Sequence, residues 1–158
     1  MPTAKITLNC TSFLDISTTN ESPRWCVLGD STQTPPVPKM TLTPDPSINN
    51  IVFVSGNTIS TTGNAAIIFE FTISSPSALT PLGIAFQQTA VGTGGNAPDE
   101  DGSLTFNPAD LSSKSANKIK VNNNRTKKNS AKWKFYILVQ RTSDRALGII
   151  DPDVQNDN

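Results

Sequence analysis

The apolar residues of this chain come in short runs rich in Ile, Val, Thr and Phe, broken every few residues by Pro, Gly, Asn or Ser. Runs of this kind carry the two-residue period of a pleated strand, and almost no stretch sustains a helical period for three turns. The pattern predicts an all-β protein. Strands are predicted over 5–10, 25–28, 39–43, 50–55, 65–73, 82–88, 103–106, 118–122, 132–140 and 146–151. About ten short strands of similar spacing predict a single antiparallel β-sandwich. With 158 residues the chain has the size of one ordinary domain and can bury a core without disulfides or metal. Residues 1–158 are therefore read as one domain, with 152–158 as a C-terminal tail. The Pro-rich connector GDSTQTPPVP, 29–38, and the loop VGTGGNAPDEDG, 91–102, are too short to separate two domains. NPADLSS, 107–113, predicts one helical turn with Pro108 at its first position.

Composition narrows the chemistry. Lys plus Arg and Asp plus Glu both number 13, so no long-range field draws the chain to nucleic acid or to an anionic membrane. No His is present, which removes Ser-His triads, imidazole metal sites and the usual proton shuttle near neutral pH. Chemistry must use carboxylates, amines, hydroxyls or thiols, and no cofactor is expected. Cys10 and Cys26 form neither a C-x-x-C pair nor a disulfide framework and are expected to be reduced and structural. The N-terminal segment MPTAKITLNCTSF lacks the basic and apolar regions of a signal peptide, which sets the expectation of a soluble, cytoplasmic protein.

The clearest local unit is the last hairpin, KWKFYILVQ, RTSDR, ALGIIDP. Trp133, Phe135, Ile137 and Val139 alternate with Lys134, Tyr136, Leu138 and Gln140, giving one apolar and one mixed face. A two-residue turn at Ser143-Asp144 sets Tyr136 opposite Asp151 and Lys134 diagonally from it. A turn at Thr142-Ser143 sets Lys134 directly opposite instead. An odd-numbered loop brings Lys132 into play as the second choice. The bland reading of either pairing is a solvated ion pair worth no more than about 1 kcal/mol.

The residue after Asp151 sharpens the alternative. An Asp carboxylate can attack its own peptide carbonyl through a five-membered ring, forming a cyclic anhydride and expelling the next nitrogen. Pro152 favours that step, because its tertiary amide leaves planarity more readily and departs as a basic secondary amine. Water opens the anhydride to give a clipped chain; Lys134 opens it to give an amide link, provided an apolar site keeps it partly neutral. Asp45-Pro46, in the turn-like LTPDPSINN, reads as ordinary turn chemistry.

The ending IIDPDVQN, with Asp151-Pro152 followed by Asp153, Val154 and Asn156, resembles the DP-EP family of small bacterial proteins over roughly 132–158. That resemblance implies a β-sandwich that cleaves itself at a C-terminal Asp-Pro bond, with Asp151 as the cleavage residue. It also implies that the peptide from Pro152 onward is the chain's own partner and that a nearby Lys can be acylated. A second carboxylate is needed to position or deprotonate water. Asp153, two residues on, is the first candidate. Glu70, the one charge in the apolar strand AIIFEFTIS, is the other, against its plainer reading as a solvent-facing strand position.

Three weaker signals remain. Asn96, Asp99, Glu100 and Asp101 make an oxygen-rich loop that matches no full calcium pattern. Arg125, Lys127 and Lys128 form a basic tip with no aromatic stacking platform. Trp25, Trp133 and Phe135 suit a sugar site, yet fit core positions better. The competing expectation to self-processing is a non-enzymatic binding or structural module with a sugar, calcium or protein partner, or one that assembles as a homo-oligomer.

Overall fold

The computed structural model describes residues 1–14, 24–63, 65–90, 106–107, 116–124 and 131–156. Their strands are β1 (Thr3–Leu14), β2 (Arg24–Leu28), β3 (Met40–Leu42), β4 (Val52–Ser55), β5 (Thr58–Thr61) and β6 (Ile67–Ser74). These are followed by β7 (Leu79–Ala90), β8 (Phe106–Asn107), β9 (Lys118–Asn123), β10 (Ala131–Arg141), β11 (Leu147–Ile150) and β12 (Asp153–Asn156). Among the described residues no helix is long and apolar enough to cross a membrane. The helical turn, the acidic loop and the basic tip expected at 107–113, 96–103 and 122–130 fall largely or wholly outside the described residues.

The chain is all-β, but the expected single antiparallel β-sandwich is not what forms. Among the described residues the main sheet holds eight strands and is nearly closed into a barrel, with a smaller second sheet beside it. Two features explain the difference. First, β1 is 12 residues long and belongs to both sheets. Its first half pairs with β3 and β6, and its second half with β2 after a register shift between Cys10 and Ser12. A bulge of this kind bends and twists a strand, which lets one strand turn the corner between two sheets. Second, three pairings are parallel: β1 with β6, β2 with β11, and β5 with β12. Parallel neighbours need long crossovers, and nothing in the local sequence announces them.

The core fills the space between the sheets. In β6, Ile67, Phe69, Phe71 and Ile73 point inward, and in β10 so do Trp133, Phe135, Ile137 and Val139. Phe71 of the smaller sheet meets Phe135 of the main sheet with ring centroids 5.0 Å apart. Phe86 stacks on Phe106 at 3.9 Å, and Trp133 closes edge-on to Phe106 at 5.2 Å. Offset and edge-on aromatic pairs add modestly to the burial of their large apolar areas.

Candidate functional site

The site is built on the last hairpin. Arg141 donates its backbone N–H to the Ala146 carbonyl at 2.9 Å, so residues 142–145 form the loop, which has an even number of residues. Arg145 takes the left-handed backbone conformation with φ 61°, and its N–H donates back to the Arg141 carbonyl. Asp144 fixes the turn by accepting from Arg141 Nε at 2.9 Å and from the Ala146 N–H at 3.1 Å. Register follows from this turn. Ile137 pairs with Ile150 in β11, and Lys134 pairs with Asp153 in β12. Three residues back along β10 match three residues forward across the Asp-Pro bond, so β11 and β12 are one strand in one register. Tyr136 therefore stands across from Asp151, with Lys134 a diagonal neighbour.

The strand does not end at Pro152; it changes neighbours there. Phe135 donates its N–H to the Pro152 carbonyl at 3.0 Å, whereas Pro152 has no N–H to return. On the far side, β11 runs beside β2 and β12 runs beside β5. The Asp151 carbonyl faces the gap between those two neighbours, and Asn57 Nδ2 donates to it at 3.2 Å. Asn57 lies with Gly56, φ 57°, in the two-residue turn joining β4 to β5. Its side chain takes the place of an absent strand. Sequence reasoning missed Asn57, although Ser55-Gly56-Asn57-Thr58 between two β-branched runs is a hairpin signal.

The predicted residues are placed as follows. Pro152 is buried, Asp151 half-buried, and Lys134 and Lys132 exposed on the outer face. Among the described residues, no apolar pocket of the kind that amide capture by Lys134 requires is built around it. Asp153 stands at the first position of β12, between Lys134 and Thr58. Glu70 lies in β6 of the smaller sheet, where Lys120 Nζ reaches Oε2 at 3.1 Å and Lys118 Nζ reaches Oε1 at 3.5 Å. Burial pushes the Glu70 carboxyl up, but the hydrogen bond and charge of Lys120, aided by Lys118, outweigh it and hold the group below its ordinary value. Glu70 is thus engaged by two lysines on a sheet that does not contain Asp151. Trp133 and Phe135 lie in the core, while Trp25 is half-buried and faces outward.

The outer face of the hairpin has a second character. Leu138 pairs with Ile149, and Ile149 pairs with Trp25, forming a row across β10, β11 and β2. Leu138 and Leu147 are 37% and 43% exposed, large values for leucines on neighbouring strands. Beyond Leu138 comes Gly83 of β7, with open space where a side chain would stand. Tyr136 adds a half-buried ring one rung along.

No family model matches the chain, and no curated protein matches it. Among solved structures it is similar to the inclusion body protein PixA from Burkholderia cenocepacia, with 10% identity and a TM-score of 0.47, covering 98% of this chain and 94% of that one. An identity and score that low carry no function from one chain to the other.

Proposed function

We propose that this protein is a non-enzymatic assembly module whose partner is a second copy of itself. The observation that carries the proposal is the outward row of Leu138, Ile149 and Trp25, extended by Leu147 and Tyr136, on three adjacent strands of the main sheet. Contiguous apolar surface on a sheet face is costly to leave in water and marks interaction sites. The rim favours a like partner. Lys134 and Asp151 flank one end of the row and Asp144 and Arg145 the other, so a two-fold contact can set opposite charges against each other. The chain's formal net charge of zero opposes no such approach. Sedimentation velocity over a wide concentration range tests the proposal. Reversible self-association in the wild type, abolished by Leu138→Asp with Leu147→Asp at unchanged circular dichroism, is expected. A wild type that stays monomeric at its highest soluble concentration overturns it.

A second reading, self-processing at Asp151-Pro152, is favoured by the Asn57 amide. When the Asp151 carboxylate attacks its own carbonyl, the carbonyl oxygen becomes the anion, and Asn57 Nδ2 already donates to that oxygen. Collapse expels the Pro152 nitrogen, which takes a proton, and water then opens the anhydride. The geometry favours hydrolysis over capture by the exposed Lys134. The resemblance of 132–158 to the DP-EP family points the same way. Since β12 is held by both β10 and β5, the clipped tail would stay in place. Cleavage is therefore read by intact mass under denaturing conditions, fresh and after incubation, against Asp151→Ala. An unchanged full-length mass sinks this reading.

A further inference from the structure

Gly83 carries no side chain at an outward position of β7, directly opposite the exposed Leu138. A register shift beside it leaves Leu82 with no opposite residue on β10. A glycine inside a strand weakens the strand, and two causes within a chain require one: a left-handed backbone, or a neighbour too close for a Cβ. Neither holds here among the described residues. Gly29, Gly56 and Gly63 have positive φ, and Gly83 does not. A Cβ on Gly83 would meet no atom within 4 Å, whereas one on Gly29 would meet Lys39 and the Val37 carbonyl at 2.9 Å. What Gly83 leaves is a notch one side chain deep, with Leu138 as its wall.

The apolar row that begins at this notch is asymmetric. Across the strands it reads Gly83 in β7, Leu138 in β10, Ile149 in β11 and Trp25 in β2. At the usual strand spacing it spans roughly 14 Å. The missing side chain stands at one end and the largest at the other. A two-fold axis lying along the strands, between β10 and β11, reverses that order in a second copy. It lays Leu138 of each copy over Ile149 of the other, and Trp25 of each over Gly83 of the other. An axis lying across the strands would instead set Trp25 on Trp25 and leave both notches empty. The first axis also suits the polar groups. Tyr136 and Asp151 are opposite each other within one copy. Reversal therefore sets Tyr136 over Asp151 of the second copy, with the Lys134 ammonium diagonal to that carboxylate. Strands of the two faces then run nearly aligned, as in common sheet-on-sheet packing.

We infer that self-association uses this along-strand axis, with the Trp25 indole of each copy seated in the Gly83 notch of the other. This docking mode rests on the self-association proposed above and names the contact that fixes its geometry. A tryptophan enclosed by a complementary notch is the kind of side chain that dominates the energy of an interface.

Two variants of the full chain test the pairing by exchange. Gly83→Trp fills the notch, and Trp25→Gly removes its occupant. Each alone is expected to weaken self-association by at least about tenfold in sedimentation velocity, as loss of an aromatic anchor does. Mixed in equal amounts, the two are expected to recover it. In the mixed pair the introduced indole meets the vacated position, and the remaining Trp25 meets the remaining Gly83. Wild type that associates beside a mixture as weak as either variant overturns the docking mode and leaves the association standing. Wild type that stays monomeric overturns both. A second measurement needs no substitution, should either variant fail to fold. Trp25 and Trp133 are the two tryptophans of the chain, and Trp133 is buried in the core. Acrylamide quenching of wild-type fluorescence thus reports Trp25, and it is expected to fall as concentration rises through the range of association. Quenching that stays constant through that range also overturns the docking mode.

Discussion

Asn57 and Glu70 show how far a single residue's role can be read before its neighbours are known. Both are polar residues whose place along a strand or turn is legible, while their partners come from distant sequence. Asn57 donates to a carbonyl 94 positions away. Asn57→Ala removes that donor and leaves the Asp151 carbonyl with no strand neighbour on that side. A loss of about 1 kcal/mol is expected from urea denaturation at neutral pH, the usual net value of one hydrogen bond. Asn57→Leu cannot restore the bond, and Asn57→Asp loses the same donor while adding a charge beside Asp151. Glu70 is legible as one face of an apolar strand, but the strand that lies beside it is not. Lys120 pairs with it in register, and Lys118 reaches it from two residues along the same strand. The folded carboxyl titrates below its ordinary value of 4.5, so the ion pair's contribution is present above that pH and is lost as pH falls through the folded value. The lysines are 45% and 43% exposed, which limits the contribution to about 1 kcal/mol or less. The stability gap between wild type and Glu70→Gln should therefore shrink between pH 7 and pH 3, as measured by urea midpoints at each pH.

At the scale of elements, the strands are legible in the sequence and their neighbours are not. The alternation in β6 and β10 gives the inward faces correctly, whereas the sequence leaves three registers open for the last hairpin, and only the observed 142–145 loop selects Tyr136 against Asp151. β12 escapes such a reading because Pro152 looks like a stop. A proline deletes only one donor, and whether the strand resumes depends on a partner being available on both sides. Here β10 continues past it, and β5 arrives from far upstream to pair Thr58 with Asp153. β12 is consequently an interior strand, and it is the link that joins the β4–β5 hairpin to β10. A chain ended at Asp151 leaves that hairpin with no strand beside β5. Amide exchange over 52–61 is expected to rise by at least about tenfold, with a clear fall in the thermal midpoint. Unchanged protection there would mean that β12 contributes little to closing the sheet.

For the whole molecule, alternation alone argues for two separate layers, and the finding is one continuous network turned through β1. Alternation reports which face is buried but is silent on whether the buried faces belong to separate sheets or to one that bends. The distinction has a measurable consequence. In a sandwich of independent layers, damage to one sheet weakens the other only through face-to-face packing. In this fold, β1 hydrogen-bonds into both sheets, and Phe135 of β10 packs against Phe71 of the smaller sheet and Phe86 of β7. Phe135 is fully buried at the meeting point of the two. Phe135→Ala removes a ring from that junction and should cost about 3–5 kcal/mol, the range for a buried phenylalanine whose cavity cannot collapse. The backbone ladder through β1 transmits the loss, so protection in β6 and β9 should fall by the same free energy as protection in β10 and β11. Native-state hydrogen exchange read strand by strand decides it. Equal losses in both sheets mean a single cooperative unit joined at β1, and a loss confined to the strands around β10 would mean that the two sheets unfold as separate layers after all.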